Sequence, residues 1–330
     1  MNDLKTLSEP IVPHIDLSIP TLIVMCGIQC SGKSTIAENI KNFINNYDLN
    51  RKTVILSSDK IREDFPGINN DKVFTKLYAD MNYWLKQGDN VIIDATNITI
   101  KSRSQIFNNL KENCYKICYI VNTPIEDCKK RLILRNDSDY KHKVPMEVLD
   151  KYYKSFEIPF YNEGWDIIEI DRKFSELDGA AYLSKIALQT KDFNQHNKHH
   201  TQMLDQHMQT VGNYLSNRVR DNKILSTAGY WHDIGKLYTQ LYKPNDPDAH
   251  YYCHDSVGTY ELLCNYTMYE DGKINIKSTL QWLFYINYHM KLHNVATIKS
   301  INKWKRIFGE SNYNDLKIFM EADTYRPRSV

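Results

Sequence analysis

The chain has 330 residues, 42% of them apolar and 25% charged, with a formal net charge of +2 at pH 7. That length suits two domains, and glycine and proline are too sparse for a disordered chain. Near-neutrality excludes an overall basic field, so a polyanionic substrate would need a local basic groove.

In chain order, residues 1–20 read as an irregular leader with three prolines, without the charged start and apolar run of a secretory signal. TLIVMCG (21–27) is an apolar run ending in glycine and reads as a buried strand, with a helix after it. Further strands are expected at 52–58, 90–96, 115–121 and 165–170, with amphipathic stretches near 71–87, 102–113, 124–135 and 145–156 between them. This alternation predicts an α/β domain over 21–175, a parallel sheet with helices on both faces. Beyond it the strand signal ends. Helices are expected at about 176–189, 200–217, 222–232, 254–265, 277–289 and 312–322. The first is a linker helix (176–194), KDFNQHNKHH (191–200) is a polar link, and 195–330 is an all-α domain. No run approaches the roughly 20 apolar residues of a membrane span. The seven cysteines are odd in number and lack zinc-ribbon spacing. They are expected to be reduced thiols of a cytoplasmic protein.

Gly27-Ile-Gln-Cys-Ser31-Gly32-Lys33-Ser34 fits G-x-x-x-x-G-K-[ST] between a strand and a helix. Backbone N–H groups and the helix N-terminus suit phosphate oxygens there. Lys33 is placed for the β/γ-phosphates and Ser34 for Mg²⁺, with Gly27, Ser31, Gly32 and Thr35 completing the ATP cradle. Asp59 follows the second strand, where it either accepts a proton from an attacking hydroxyl or caps the next helix. Asp94 ends the third strand as a partner for metal or water. Arg131 and Arg135, four apart on one helix face before NDSDYKHK, either close over the transferring phosphoryl or form a solvated face.

These segments resemble the 5′-hydroxyl polynucleotide kinases of phage and bacterial end-healing enzymes. The resemblance spans about residues 21–162: GIQCSGKST, Asp59 with Arg62, Arg131 with Arg135, and VPMEVLDKYYKSFEIPFYNEG. It implies Asp59 as general base toward a 5′-OH, Arg62 on the acceptor's phosphate and Arg135 on the donor phosphates, with ATP and Mg²⁺ as cofactors.

Nine of the 11 histidines lie from His196 onward. His207, His232, His289 and Asp323 sit on apolar faces of the expected helices. Buried ionisable groups recurring on several helices are costly unless they share a partner, and a cation is the economical one. The pattern H…HD…H…H…D resembles the HD phosphohydrolase superfamily over about 195–330. That likeness implies a first metal on His207, His232, Asp233 and Asp323, with His200 competing for the place of His207. His254 and His289 would bind a second metal or the scissile phosphate. Imidazole with carboxylate suits Mn, Fe, Co, Ni or Zn. Lys236 either offsets charge on the leaving phosphate or caps a helix.

Together the halves are expected to heal nucleic-acid ends, RNA more than DNA, ahead of a ligase. The kinase would phosphorylate 5′-OH ends, and the second activity would be a 2′,3′-phosphatase or cyclic phosphodiesterase. A nucleoside or small-molecule kinase joined to a nucleotide phosphohydrolase is the alternative. An RNA-binding adaptor without catalysis is a third.

Overall fold

The computed structural model describes residues 18–48, 50–137, 143–197 and 202–326. The leader up to residue 17, part of the loop after Arg135 and His200 therefore lie outside the described residues. The chain divides into two compact units, 1–152 with 163–172, and 153–162 with 173–330.

In the first unit, β1 (Thr21–Cys26), β2 (Thr53–Ser57), β3 (Asn90–Asp94), β4 (Tyr115–Ile120) and β5 (Ile167–Ile170) form one sheet. All pairings are parallel, in the order β2-β3-β1-β4-β5. Every residue of β1 and β3 is buried, as expected of central parallel strands covered on both faces. On one face Ile23, Met25, Ile92, Ile117 and Tyr119 pack with Ile36, Ile40 and Ile44 of α1 (Lys33–Tyr47). The remaining helices are α2 (Ser58–Asp64), α3 (Asn70–Lys86), α4 (Ile100–Asn109), α5 (Ile125–Asp137) and α6 (Met146–Lys154). The parallel order matters for function because it brings the ends of β1, β2 and β3 to one edge, where ligands of open α/β sheets bind.

The second unit is largely helical: α7 (Glu176–Thr190), α8 (Leu204–Arg218), α9 (Lys223–Gly229), α10 (Lys236–Thr239), α11 (His254–Leu263), α12 (Ile276–Tyr288), α13 (Ile298–Phe308) and α14 (Glu310–Thr324). Its core is aromatic, with Trp282, Tyr260, Phe284, Tyr288, Phe308 and Phe319 all essentially buried.

Four differences from the sequence expectation stand out. Two short antiparallel hairpins, β6 (Leu241–Tyr242) with β7 (Ala249–His250) and β8 (Tyr269–Glu270) with β9 (Lys273–Ile274), interrupt the helices. The helix expected over 222–232 stops at Gly229, so His232 sits in turns rather than on a helical stripe. The polar link carries a fully buried Gln195. Finally, Tyr153–Asn162, expected within the kinase domain, belongs to the second unit. Its Phe156, Ile158 and Phe160 are buried, and α12 satisfies its backbone. Ile158 N donates to Asn287 Oδ1 (2.7 Å), Asn287 Nδ2 donates to Phe156 O (3.2 Å), and Tyr288 Oη donates to Ile158 O (3.0 Å). Buried backbone groups need such partners, which explains how a non-helical segment runs through a core.

Candidate active sites

The first site lies at the carboxyl edge of the sheet. The turn from β1 into α1 uses left-handed conformations at Cys30 (φ 60°) and Gly32 (φ 101°). The start of α1 has no side-chain cap and no acid in its first turn, which leaves its N–H groups and dipole to an anion. Lys33 is buried, and burial holds its pKa below the ordinary lysine value, with Asp94 opposing the shift. Its Nζ donates to Ile28 O (2.7 Å) and Ser31 Oγ (3.5 Å). Ser34 Oγ donates to Asp94 Oδ2 at 2.7 Å, so one hydroxyl and one carboxylate meet where a hard cation would take oxygen ligands.

Around this turn is a cleft of about 410 Å³ lined by Lys33, Ser34, Thr35, Asp59, Arg62, Asp94, Arg131 and Arg135 among others. Asp59 stands in the first turn of α2, but the cap is Ser57, whose Oγ accepts from Lys60 N. Asp59 is thus exposed to the cleft, its Oδ1 accepting from Arg62 Nη1 at 3.0 Å. Arg62 Nη2 in turn donates to Asn70 Oδ1 at 2.7 Å. Arg131 holds the phosphate turn from outside, its Nη1 donating to the carbonyls of Cys30 (3.2 Å) and Ser31 (2.9 Å). The cleft therefore has one end built on the start of α1 and another built on α2.

The second site lies within the helical unit. His207 on α8, the pair His232–Asp233 in the turns between α9 and α10, and Asp323 on α14 bring one ligand atom each within 4.8 Å of one another. Asp233, His254 at the start of α11 and His289 just after α12 do the same, so Asp233 belongs to both groups. His207 Nε2 is 3.1 Å from Asp323 Oδ1 and 3.4 Å from Asp233 Oδ2, while His254 Nε2 is 3.1 Å from Asp233 Oδ1. His200, the competitor for the first position, lies outside the described residues.

The imidazoles are fixed in one orientation. Nδ1 of His232 donates to Gly229 O (2.9 Å), that of His254 to Tyr251 O (2.8 Å) and that of His289 to Ile286 O (2.7 Å). A carbonyl only accepts, so each Nδ1 carries the proton and each Nε2 lone pair faces inward. Histidines that bind metals are commonly held this way. His232 Nε2 is fully buried without a hydrogen bond, although both carboxylates are within 3.4 Å. A buried imidazole nitrogen without a hydrogen bond, crowded between two carboxylates, is the donor set that a divalent transition metal satisfies in place of a proton, so these residues fit such an ion. Burial disfavours charge on His232, but Asp233 and Asp323 outweigh it and push its pKa up to about 10. Burial and the neighbouring His232 and His254 hold His289 down at about 3.

Two further groups join this site. Lys236, buried on α10, sets Nζ 2.6 Å from Asp233 Oδ2 and donates to Gln195 Oε1 at 2.8 Å, which places it inside the site rather than at an exposed cap. His293, absent from the sequence assignment, has Nε2 3.1 Å from Asp323 Oδ2. Its only signal is its position four residues after His289.

Strand order, phosphate turn and cleft define the first unit as a P-loop kinase fold. Consistent with this, residues 22–159 match the family model described as an AAA domain, which covers less than half of the chain. The chain is similar to an L-seryl-tRNA(Sec) kinase of Methanococcus maripaludis, 27% identical over 159 residues that cover 45% of this chain and 57% of the relative. It is also similar to a protein of Acanthamoeba polyphaga mimivirus named as a bifunctional polynucleotide phosphatase/kinase, 32% identical over 152 residues, 45% of this chain and 32% of the relative. Among solved structures, one of a Pnkp1/Rnl/Hen1 RNA repair complex matches at 24% identity over 41% of this chain and 43% of that one, with a TM-score of 0.34. The chain thus spans about half or less of the length of these relatives. It contains a P-loop kinase domain with relatives of polynucleotide-kinase type. Among the described residues no helix is long and apolar enough to cross a membrane.

Proposed function

We propose that the chain heals broken nucleic-acid ends, RNA above all, with an ATP-dependent 5′-hydroxyl kinase in the first unit and a metal-dependent phosphohydrolase of the HD type in the second. The observation that carries the pairing is the meeting of His207, His232, Asp233, His254, His289 and Asp323, in a chain that also holds a P-loop cleft lined by Asp59, a carboxylate paired with Arg62.

In the kinase reaction, Asp59 accepts the proton of the 5′-hydroxyl as its oxygen bonds to the γ-phosphorus of ATP. The bond from that phosphorus to the β,γ-bridging oxygen breaks, and ADP leaves. Arg62, already paired with Asp59, orients the acceptor's first phosphate. The amides at the start of α1 and Lys33 hold the donor phosphates, Arg131 keeps the turn in shape, and Arg135 balances charge on the moving phosphoryl. Ser34 and Asp94 would hold Mg²⁺.

In the second unit, the first four ligands and the set of Asp233, His254 and His289 would hold one or two transition metals. Bound there, such an ion supplies Lewis acidity toward phosphorus and a water of lowered pKa. Asp233, reaching both groups, fixes their spacing. Lys236 neutralises Asp233 and offers a cation next to the phosphate. The expected products, a 5′-phosphate and a free 2′,3′-diol, are the ends a ligase joins.

The test uses RNA carrying a 5′-OH and a 2′,3′-cyclic phosphate, incubated with ATP, Mg²⁺ and Mn²⁺ beside DNA, mononucleotides and nucleosides. Phosphorylation of the 5′ end and opening or removal of the terminal phosphate are expected together. Asp59→Ala should remove only the first and Asp233→Ala only the second. Phosphorylation of nucleosides but not oligomers would overturn the end-healing reading in favour of a small-molecule kinase.

A further inference from the structure

Beside the catalytic cleft of the first unit runs a second depression, about 760 Å³ and so larger than the cleft itself. Its walls are one face of α3, through Phe74, Tyr78 and Asn82, and one face of α4, through Lys101, Ser102 and Gln105. It shares Asn70 and Phe74 with the cleft, so the two spaces adjoin. The junction is the acceptor end, since Asn70 accepts from Arg62, which pairs with Asp59.

The groove is a built feature. Asn82 Nδ2 donates to Tyr78 O (2.9 Å) and to Asn109 O (2.8 Å), while its Oδ1 accepts from Lys111 N (2.9 Å). One side chain thus fastens α3 to the end of α4. Phe74 and Tyr78, one helical turn apart, present rings 6.1 Å apart at 35°. Lys101 and Lys111 are exposed on the facing wall, and Asp71 is the only acid of the lining. Aromatic faces with flanking cations bind bases by stacking and phosphates by charge, without sequence readout.

We infer that this groove seats the single-stranded polynucleotide whose 5′ end enters the cleft, with Phe74 and Tyr78 against bases and Lys101 and Lys111 on the backbone. The inference rests on the kinase reading and deepens it: the acceptor is a strand of several nucleotides rather than a nucleoside. Tyr78, Lys101 and Lys111 act in binding and do not touch the reacting atoms.

The experiment measures KM and kcat for 5′-OH RNA of one, two and six nucleotides with wild-type protein, Tyr78→Ala and the double variant Lys101→Glu/Lys111→Glu. Anisotropy of a fluorescent RNA hexamer is read in parallel. KM should fall with length in the wild type, and Tyr78→Ala should raise hexamer KM about five-fold or more, the equivalent of one lost base stack. The lysine variant should weaken hexamer binding and flatten its salt dependence, with kcat and the KM for ATP unchanged. Should Tyr78→Ala fail to fold, the exposed lysines carry the test alone. Phosphorylation that is equally efficient at every length, or hexamer binding indifferent to the lysine variant, overturns the groove and leaves the kinase reading standing. If no hydroxyl acceptor is phosphorylated by the wild type, the kinase reading fails, and anisotropy still decides whether RNA occupies the groove.

Discussion

His254 and His289 face one another through their Nε2 atoms at 3.3 Å, each with its Nδ1 proton already given to a backbone carbonyl. Two neutral rings so held would turn two lone pairs on each other. Either a proton or a cation must lie between them. Asp233, 3.1 Å from His254 Nε2, favours a positive charge at that spot.

Metal should therefore stabilise the helical unit. After EDTA treatment, adding Mn²⁺, Ni²⁺ or Zn²⁺ should raise the thermal midpoint of the full chain, by about 4 kcal/mol of stability at 1,000 times the Kd. His254→Ala and Asp233→Ala should reduce that gain. The pH dependence has a definite sign: burial lowers the His254 pKa, but Asp233 outweighs it and the net shift is upward from 6.5. A bound metal must displace that proton, so affinity should weaken as pH falls through and below the raised pKa. A midpoint indifferent to all three metals at pH 8 would remove the metal reading.

The two arginines of α5 should separate in kinetics. Arg131 is spent on the carbonyls of Cys30 and Ser31, so Arg131→Ala should loosen the phosphate turn and raise the KM for ATP about ten-fold, the loss of charge-assisted hydrogen bonds. Arg135→Ala should instead lower kcat by about 10³ or more, as for arginines that balance transition-state charge, with ATP binding little changed. Identical effects of the two substitutions on KM and kcat would contradict this division.

Gly235 should prove irreplaceable for reasons of space. A Cβ there would meet His254 O at 1.9 Å and Gly258 N at 2.7 Å, both backbone atoms of α11. Gly235→Ala must push α11, and with it His254, away from Asp233. A loss of about 3 kcal/mol or more is expected, the upper range for overpacking, together with weakened metal binding. Urea unfolding and metal titration check this, and unchanged phosphorylation of 5′ ends by the same variant would localise the damage to the second unit.

What the sequence made legible was what is local. The P-loop lies between β1 and α1 because glycines, lysine and serine occur at fixed spacing, and β1 to β5 show as apolar runs that need no partner to be recognised. The candidate metal ligands were legible as residue types on expected helices, yet His232 does not sit on the apolar face of a helix over 222–232, since that helix ends at Gly229. Tertiary packing buries the ring all the same. The missing features are those that depend on distant partners. The apolar residues of 153–162 look the same whether they pack on the sheet or on α12. Gly235 acquires its role only once α11 is placed against it. His293 needs Asp323 beside it, 30 positions away, to acquire a role. The start of α13, where Thr297 and Ser300 cap each other reciprocally, lacks the Glu or Gln three residues on that usually marks such a cap in a sequence.

Arg103 and Glu163 form the pair that receives the chain as it re-enters the first unit. Arg103 is fully buried on α4, with Nε and Nη2 each 2.6 Å from a Glu163 oxygen and Nη1 donating to Asn97 O at 3.1 Å. Asn97 lies just past Ala95 and Thr96, which line the cleft after Asp94, so the ion pair supports the wall of the kinase site from behind. Removing one partner of such a buried pair strands the other charge, and Glu163→Gln should cost about 3–5 kcal/mol. Replacing both, as in Arg103→Met/Glu163→Leu, should cost much less than the sum of the single changes, because no charge is left to desolvate. The loss of ATP binding with rising urea follows this unit alone and avoids treating a two-unit chain as one transition. A Glu163→Gln midpoint equal to wild type would mean the guanidinium finds water or another acceptor on losing its partner, and that the wall of the cleft does not depend on this pair.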